Sequence, residues 1–193
     1  MSLNELIPQA HSLGAADAAF IPPEAIVTRE DLAQLCAASP CENHGLSPSC
    51  PPHVSGPEGF RQLQARAAHA LVFRLTVPAA ILFSLADRRE VMALLHQTAA
   101  ALERTAKEKG YSDAQAFAGG SCKTIFCTDH VQCRVLAENK ACRHPHRARP
   151  SMSGFGIDVG QLMATCGWPA ELTPSDSDGE SMSWVAGLVL LIE

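Results

Sequence analysis

The sequence predicts an α+β fold: a single-domain sandwich over residues 1–193, in which helices flank a mixed or mainly antiparallel sheet and two cysteine-rich loops bind metal. Three observations lead there. Segments of strand character are interspersed with helical ones, without the regular alternation that builds a parallel sheet. At 193 residues and 47% hydrophobic content, the chain is long enough to bury one sizeable core. Seven of the eight cysteines fall in two compact sets, Cys36/Cys41/Cys50 and Cys122/Cys127/Cys133/Cys142, each surrounded by proline, glycine and histidine.

Taken in order, Leu3, Leu6, Ile7 and Ala10 recur at helical spacing, and a strand follows over 15–21 until Pro22 and Pro23 stop it. In T-R-E-D, the Thr28 hydroxyl is suited to accept from free amides at a helix start, with Asp31 three residues on as in a capping box. A helix from Thr28 through Leu35 is expected, delivering Cys36 at its end. Residues 37–57 lack apolar periodicity and predict a loop. A helix near 58–68 leads into a strand over 69–77, expected to resume over 79–84 after Pro78. Residues 87–109 make the longest helix, with Val91, Leu94, Leu95, Thr98 and Leu102 on one face and Gly110 as the stop. A short strand at 113–118 ends in Gly119-Gly120, where the missing Cβ would let backbone amides approach a bound group. A helix over 158–166 with Asp158 as its N-cap, an acidic loop through 176–180 and a strand over 184–192 complete the chain.

The apolar run Val185 to Ile192 is far shorter than the roughly 20 residues a membrane-spanning helix needs, and reads as a buried strand. A net charge of −5 with 18% charged residues leaves no basic excess, which argues against a nucleic-acid partner. Met1 to Ala19 is interrupted by Glu5, Pro8, His11 and Asp17 where a secretory signal needs a continuous apolar core, so a cytoplasmic protein is expected. Reducing cytosol keeps thiols free, which favours ligands over disulfides. No Walker loop, G-x-G-x-x-G, H-E-x-x-H or G-x-S-x-G occurs.

Grouped thiolates on irregular backbone select zinc, copper(I) or iron–sulfur clusters. Cys122, Cys127, Cys133 and Cys142 are enough to complete one [4Fe–4S] cube or one tetrahedral zinc. Their nearly even spread departs from the paired knuckles of zinc ribbons and favours the larger inorganic object. Cys36, Cys41 and Cys50 end in C-P-P, and a proline directly after a ligating cysteine recurs in bacterial ferredoxin motifs. Three thiolates leave one iron open to His44, His53, Cys166, water, substrate or a cysteine of the other set.

The stretches C-E-N-H-G-L-S-P-S-C-P-P-H and C-R-H-P-H-R-A-R-P-S-M-S-G-F-G-I-D-V resemble those of a cysteine-rich bacterial and archaeal family of unknown function, described as predicted metal-binding proteins. The resemblance covers most of the chain and implies a metal-binding, iron–sulfur redox role without an agreed activity. The family usually carries tyrosine-glycine where this chain has His44-Gly45, and has no cysteine at position 166. Cys166 falls in the apolar pattern of Leu162 and Met163, and reads as a small core residue.

Arg143, His144, Arg147 and Arg149 follow the last cysteine closely. They are expected to act on a bound cluster, raising the potential of an anionic reduced cube, or to dock an acidic partner or substrate anion. His130 is a further ligand candidate for a Cys3His zinc site, whereas His11, His69 and His96 read as structural. The function expected from these residues is that of a protein with two [4Fe–4S] clusters. It would exchange electrons with a redox partner protein, or act on a small-molecule substrate at the open iron. The alternative is a zinc-binding structural or interaction module. A relay between two clusters requires the two sets to lie close together, although roughly 70 residues separate Cys50 from Cys122.

Overall fold

The computed structural model describes residues 3–38, 41–169 and 181–193; the expected acidic loop through 176–180 lies outside the described residues. In chain order the elements are α1 (Leu6–Ser12), β1 (Asp17–Ile21), α2 (Glu30–Ala38), α3 (Gly56–Gln64), β2 (Ala67–Pro78), α4 (Ala79–Phe83) and α5 (Leu85–Glu108). They continue with β3 (Gln115–Phe117), α6 (Cys122–Phe126), α7 (Arg134–Glu138), α8 (Val159–Thr165) and β4 (Met182–Ile192), with short 3-10 turns between some of them. The strands form one open sheet in the order β1-β2-β4-β3, with every pairing antiparallel. The α+β class and the mainly antiparallel sheet are as the sequence predicts.

Period-two alternation on the two long central strands divides the core. Leu71, Phe73, Leu75, Val189 and Leu191 face α1 and α5, meeting Leu6, Ala10, Leu95 and Leu102. Ala70, Val72, Leu188, Leu190 and Ile192 face the other way, onto Phe60, Phe155, Leu162 and Met163. With both faces of β4 covered, its sequence has no polar side to display, which explains the unbroken run from Val185. Gly187 pairs directly with Phe73, and a Cβ there would lie 2.3 Å from Phe73 Cζ; the ring occupies the space a side chain would need.

Two expectations are corrected. Residues 79–84 do not resume a strand. The pairing with β4 runs past Pro78, where Ala79 N donates to Ser181 O, and A-A-I-L-F, in which Ala and Leu are strong helix formers, then turns into α4; Ser84 caps α5 by accepting from Asp87 N. Nor does Thr28 cap a helix. It pairs with Ile157 as an isolated antiparallel bridge and its hydroxyl accepts from Arg61, while Asp31 binds Arg29, so the helix starts at Glu30. The local signal lost to a tertiary pairing. Asp158, by contrast, caps α8 as expected, accepting from Gln161 N at 3.0 Å.

Candidate metal centre

The backbone beyond β3 brings the two cysteine sets together. Ala118 bridges Ser151 in parallel fashion, with Ala118 N donating to Pro150 O and Met152 N to Ala118 O. Ser151 N donates to Ser49 O at 2.9 Å, which fastens the first cysteine loop to the same seam. The helix that carries Cys36 is anchored to the segment after this seam. Arg29 N donates to Gly156 O, and Gly156 has φ +67 with room for a Cβ only 2.3 Å from Arg29 O, so glycine is the residue that fits. The sets expected to be neighbours are therefore neighbours: one oxygen, Ser49 Oγ, lies 3.2 Å from Cys122 Sγ and 3.8 Å from Cys50 Sγ.

Each set lines its own cavity. Cys36, Cys41 and Cys50 border a space of about 120 Å³ together with His44, Asn43 and Ser121. Cys122, Cys127, Cys133 and Cys142 border a larger one of about 310 Å³, whose wall also includes Phe126, Arg143, His144 and Arg149. Among the described residues, no three or more His, Cys, Asp or Glu side chains converge as a single-ion site; the thiols stand around cavities. All eight cysteines are free thiols. The second set is not carried on loop alone, since Cys122 begins α6 and Cys133 is the N-cap of α7.

The electrostatics tie the members of each set to one another. Burial pushes the Cys36 thiol up, and the neighbouring Cys41 and Cys50 push it further. Burial also raises Cys127, as do Cys142 and Cys133, against the opposing pull of Arg143 and Lys123. Cys122 is raised by burial and by Cys142 and Cys50, and is held down by the hydroxyls of Ser49 and Ser47, with no cation among its influences. Cationic side chains thus compensate Cys127, and hydroxyls Cys122.

The remaining candidates sort by position. Arg143 reaches Gln132 O, and His144 N donates to Cys142 Sγ at 3.3 Å, an amide-to-sulfur bond of the kind that tunes a ligating thiolate. Arg147 stacks on Phe126, with its guanidinium carbon 4.6 Å from the ring centroid. Arg149 is engaged by Glu103 on α5 at 2.9 Å, with both side chains about nine-tenths buried, and so anchors the segment while forming part of the wall. Of the proposed fourth ligands, His44 lines the first cavity, His53 is exposed outside its lining, and Cys166 packs against the apolar cluster beside α8, its thiol pushed up to about 11 by burial. His130 lines neither cavity; its carbonyl accepts from Lys123 Nζ.

Sequence reading passed over Ser47, Ser49 and Ser121, all buried between the sets. The available signal was that serine directly precedes a cysteine in both motifs, at Ser49-Cys50 and Ser121-Cys122. It also left Arg74 unremarked, a buried guanidinium on β2 that pairs with Asp17 at 2.6 Å and lies over Trp168.

Residues 19–191 match the model of a family described as predicted metal-binding protein (DUF2284). No curated protein and no solved structure matches. No helix among the described residues is long and apolar enough to cross a membrane.

Proposed function

Because the chain belongs to this family of predicted metal-binding proteins, we propose that it is an iron–sulfur protein holding two clusters within one domain. One is held by Cys122, Cys127, Cys133 and Cys142, the other by Cys36, Cys41 and Cys50. The observation that carries this reading is the division of seven cysteines between the walls of two adjoining cavities. Cysteine thiolates are the donors that hold iron–sulfur clusters, and each set lines a cavity rather than a flat surface. When bound, such clusters supply one-electron transfer.

The chain's own residues set the conditions for that chemistry. Arg143 and Lys123 offset negative charge at Cys127, and the His144 amide steadies Cys142. The second set closes its site with four thiolates, which suits exchange of electrons with a redox partner protein. Arg143 and Arg147 supply the positive charge such a partner would meet, with His144 between them in the chain. The first set has three thiolates, with His44 on the same wall to supply a fourth ligand or to handle a proton for a small-molecule substrate.

Metal and acid-labile sulfide analysis of anaerobically purified protein tests the reading. We expect about eight irons and eight sulfides per chain and broad visible charge-transfer absorption. Loss of half of each is expected in Cys122→Ala. A colourless protein with stoichiometric zinc would overturn it in favour of a zinc-stabilised interaction module.

A further inference from the structure

The seam between the two cavities is filled by hydroxyls. Ser47 is fully buried, Ser121 is 2% exposed and Ser49 6%. Ser47 Oγ lies 2.9 Å from Ser49 Oγ and 3.3 Å from Ser121 Oγ. Ser49 Oγ in turn accepts from Cys122 N at 3.3 Å and donates to Cys122 Sγ at 3.2 Å.

A proton inventory gives this chain a direction. A ligating thiolate is acceptor only, and each serine has one hydroxyl proton. With the Ser49 proton committed to Cys122, the Ser47 hydroxyl is left to donate to Ser49 or to Cys122 itself, whose thiol it also holds down, and Ser121 donates to Ser47. By either route the hydroxyl protons of the seam are directed toward Cys122 Sγ, with Ser49 making the 3.2 Å bond to it and each bond polarising the next. Cys50 Sγ lies farther from the same Ser49 oxygen, at 3.8 Å, so the shorter bond favours Cys122 for its single proton. The hydroxyl between the sets therefore serves the two unequally.

We propose that Ser49 is a positioning residue that sets the order of the two clusters. By donating to Cys122 it stabilises the extra negative charge of the reduced second cluster and raises that potential relative to the first, so that an electron taken from the redox partner rests at the second set. Hydrogen bonds to ligating sulfur are among the protein's means of moving a cluster's potential. The inference rests on the two-cluster reading above, and it concerns a residue that is not itself a ligand.

The test is an anaerobic redox titration of the holoprotein followed by electron paramagnetic resonance. The second-cluster signal is identified as the one that survives in Cys36→Ala. Ser49→Ala should retain the wild-type iron and sulfide while the reduced-to-oxidised ratio of the second cluster at a fixed applied potential falls roughly tenfold, a shift of about 59 mV for one electron. The first cluster should move less. Ser49→Thr keeps the hydroxyl and should titrate as wild type.

An unchanged second-cluster potential in a fully loaded Ser49→Ala protein overturns the proposal and leaves the two-cluster reading standing. A wild-type protein without iron overturns both. Should Ser49→Ala fail to load, Ser49→Thr decides: wild-type loading and potential support the hydroxyl's role, and failure there as well shows that the site needs serine's size, against the proposal.

Discussion

His96 is the point at which acid should loosen the second cysteine set. The imidazole is fully buried on α5, where its Nδ1 accepts from Arg149 N at 3.0 Å and its Nε2 lies 2.8 Å from Gly119 O. A carbonyl can only accept, so the ring is the neutral tautomer with its proton on Nε2. It thereby ties α5 to the backbone on both sides of the second set, before Cys122 and after Cys142. Burial, with the Arg149 charge nearby, lowers its pKa from 6.5 to about 4, although the bond to Gly119 opposes this. Folding depresses this pKa, so the unfolded chain takes up a proton that the folded one refuses. The stability due to His96 is present in full above about pH 6.5 and is lost as pH falls toward 4. With those two values, linkage gives a loss of about 2 kcal/mol between pH 7 and pH 5, rising to about 3 kcal/mol once both states are protonated. Urea titrations at pH 7 and pH 5, on the wild type and on His96→Gln, separate this from thiolate protonation, which both proteins share. At pH 7 the variant should be less stable by about 1–3 kcal/mol, from a disturbed buried hydrogen bond. Between pH 7 and pH 5 the wild type should lose about 2 kcal/mol more than the variant. Equal losses in the two would refute the role given to His96.

Other outcomes follow from packing and ligation. Gly187→Val places a side chain where Phe73 already lies and should cost at least about 1–3 kcal/mol in denaturant titration, with metal content per folded molecule unchanged. Cys166→Ala truncates a residue packed against the core and should cost on the order of 1 kcal/mol while keeping all its iron; loss of half the iron would instead make Cys166 a ligand. On exposure to air, the proposed cluster on Cys36, Cys41 and Cys50 should be lost first, because three cysteines would leave one of its irons without a thiolate. Simultaneous decay of both signals, with no response to a small added anion, would mean that both sites are closed.

Much of the architecture was legible because its causes are local. The apolar run from Val185, the helical face through Leu95 and Leu102, and the Asp158 cap all act within a few residues of themselves, and each element formed where expected. The failures mark where distant groups prevailed. Thr28 had the chemistry of a cap but is taken into a bridge with Ile157 and a bond from Arg61. Residues 79–84 had strand-like content, but after the bond from Ala79 N to Ser181 O the chain turns into α4.

The same division holds for the candidate centre. Thiolate softness and spacing depend on residue type and order, so the sequence alone marked out seven cysteines, in two sets, as candidate ligands and set Cys166 apart. Their adjacency was decided only by the tertiary structure. It arises from the seam of Ala118, Ser151 and Ser49, three backbone segments far apart in the chain, whose pairing no local pattern encodes. Burial of Ser47, Ser49 and Ser121 has the same origin. A serine beside a cysteine is ordinary loop composition until a second loop closes over it and leaves its hydroxyl with sulfur as a partner.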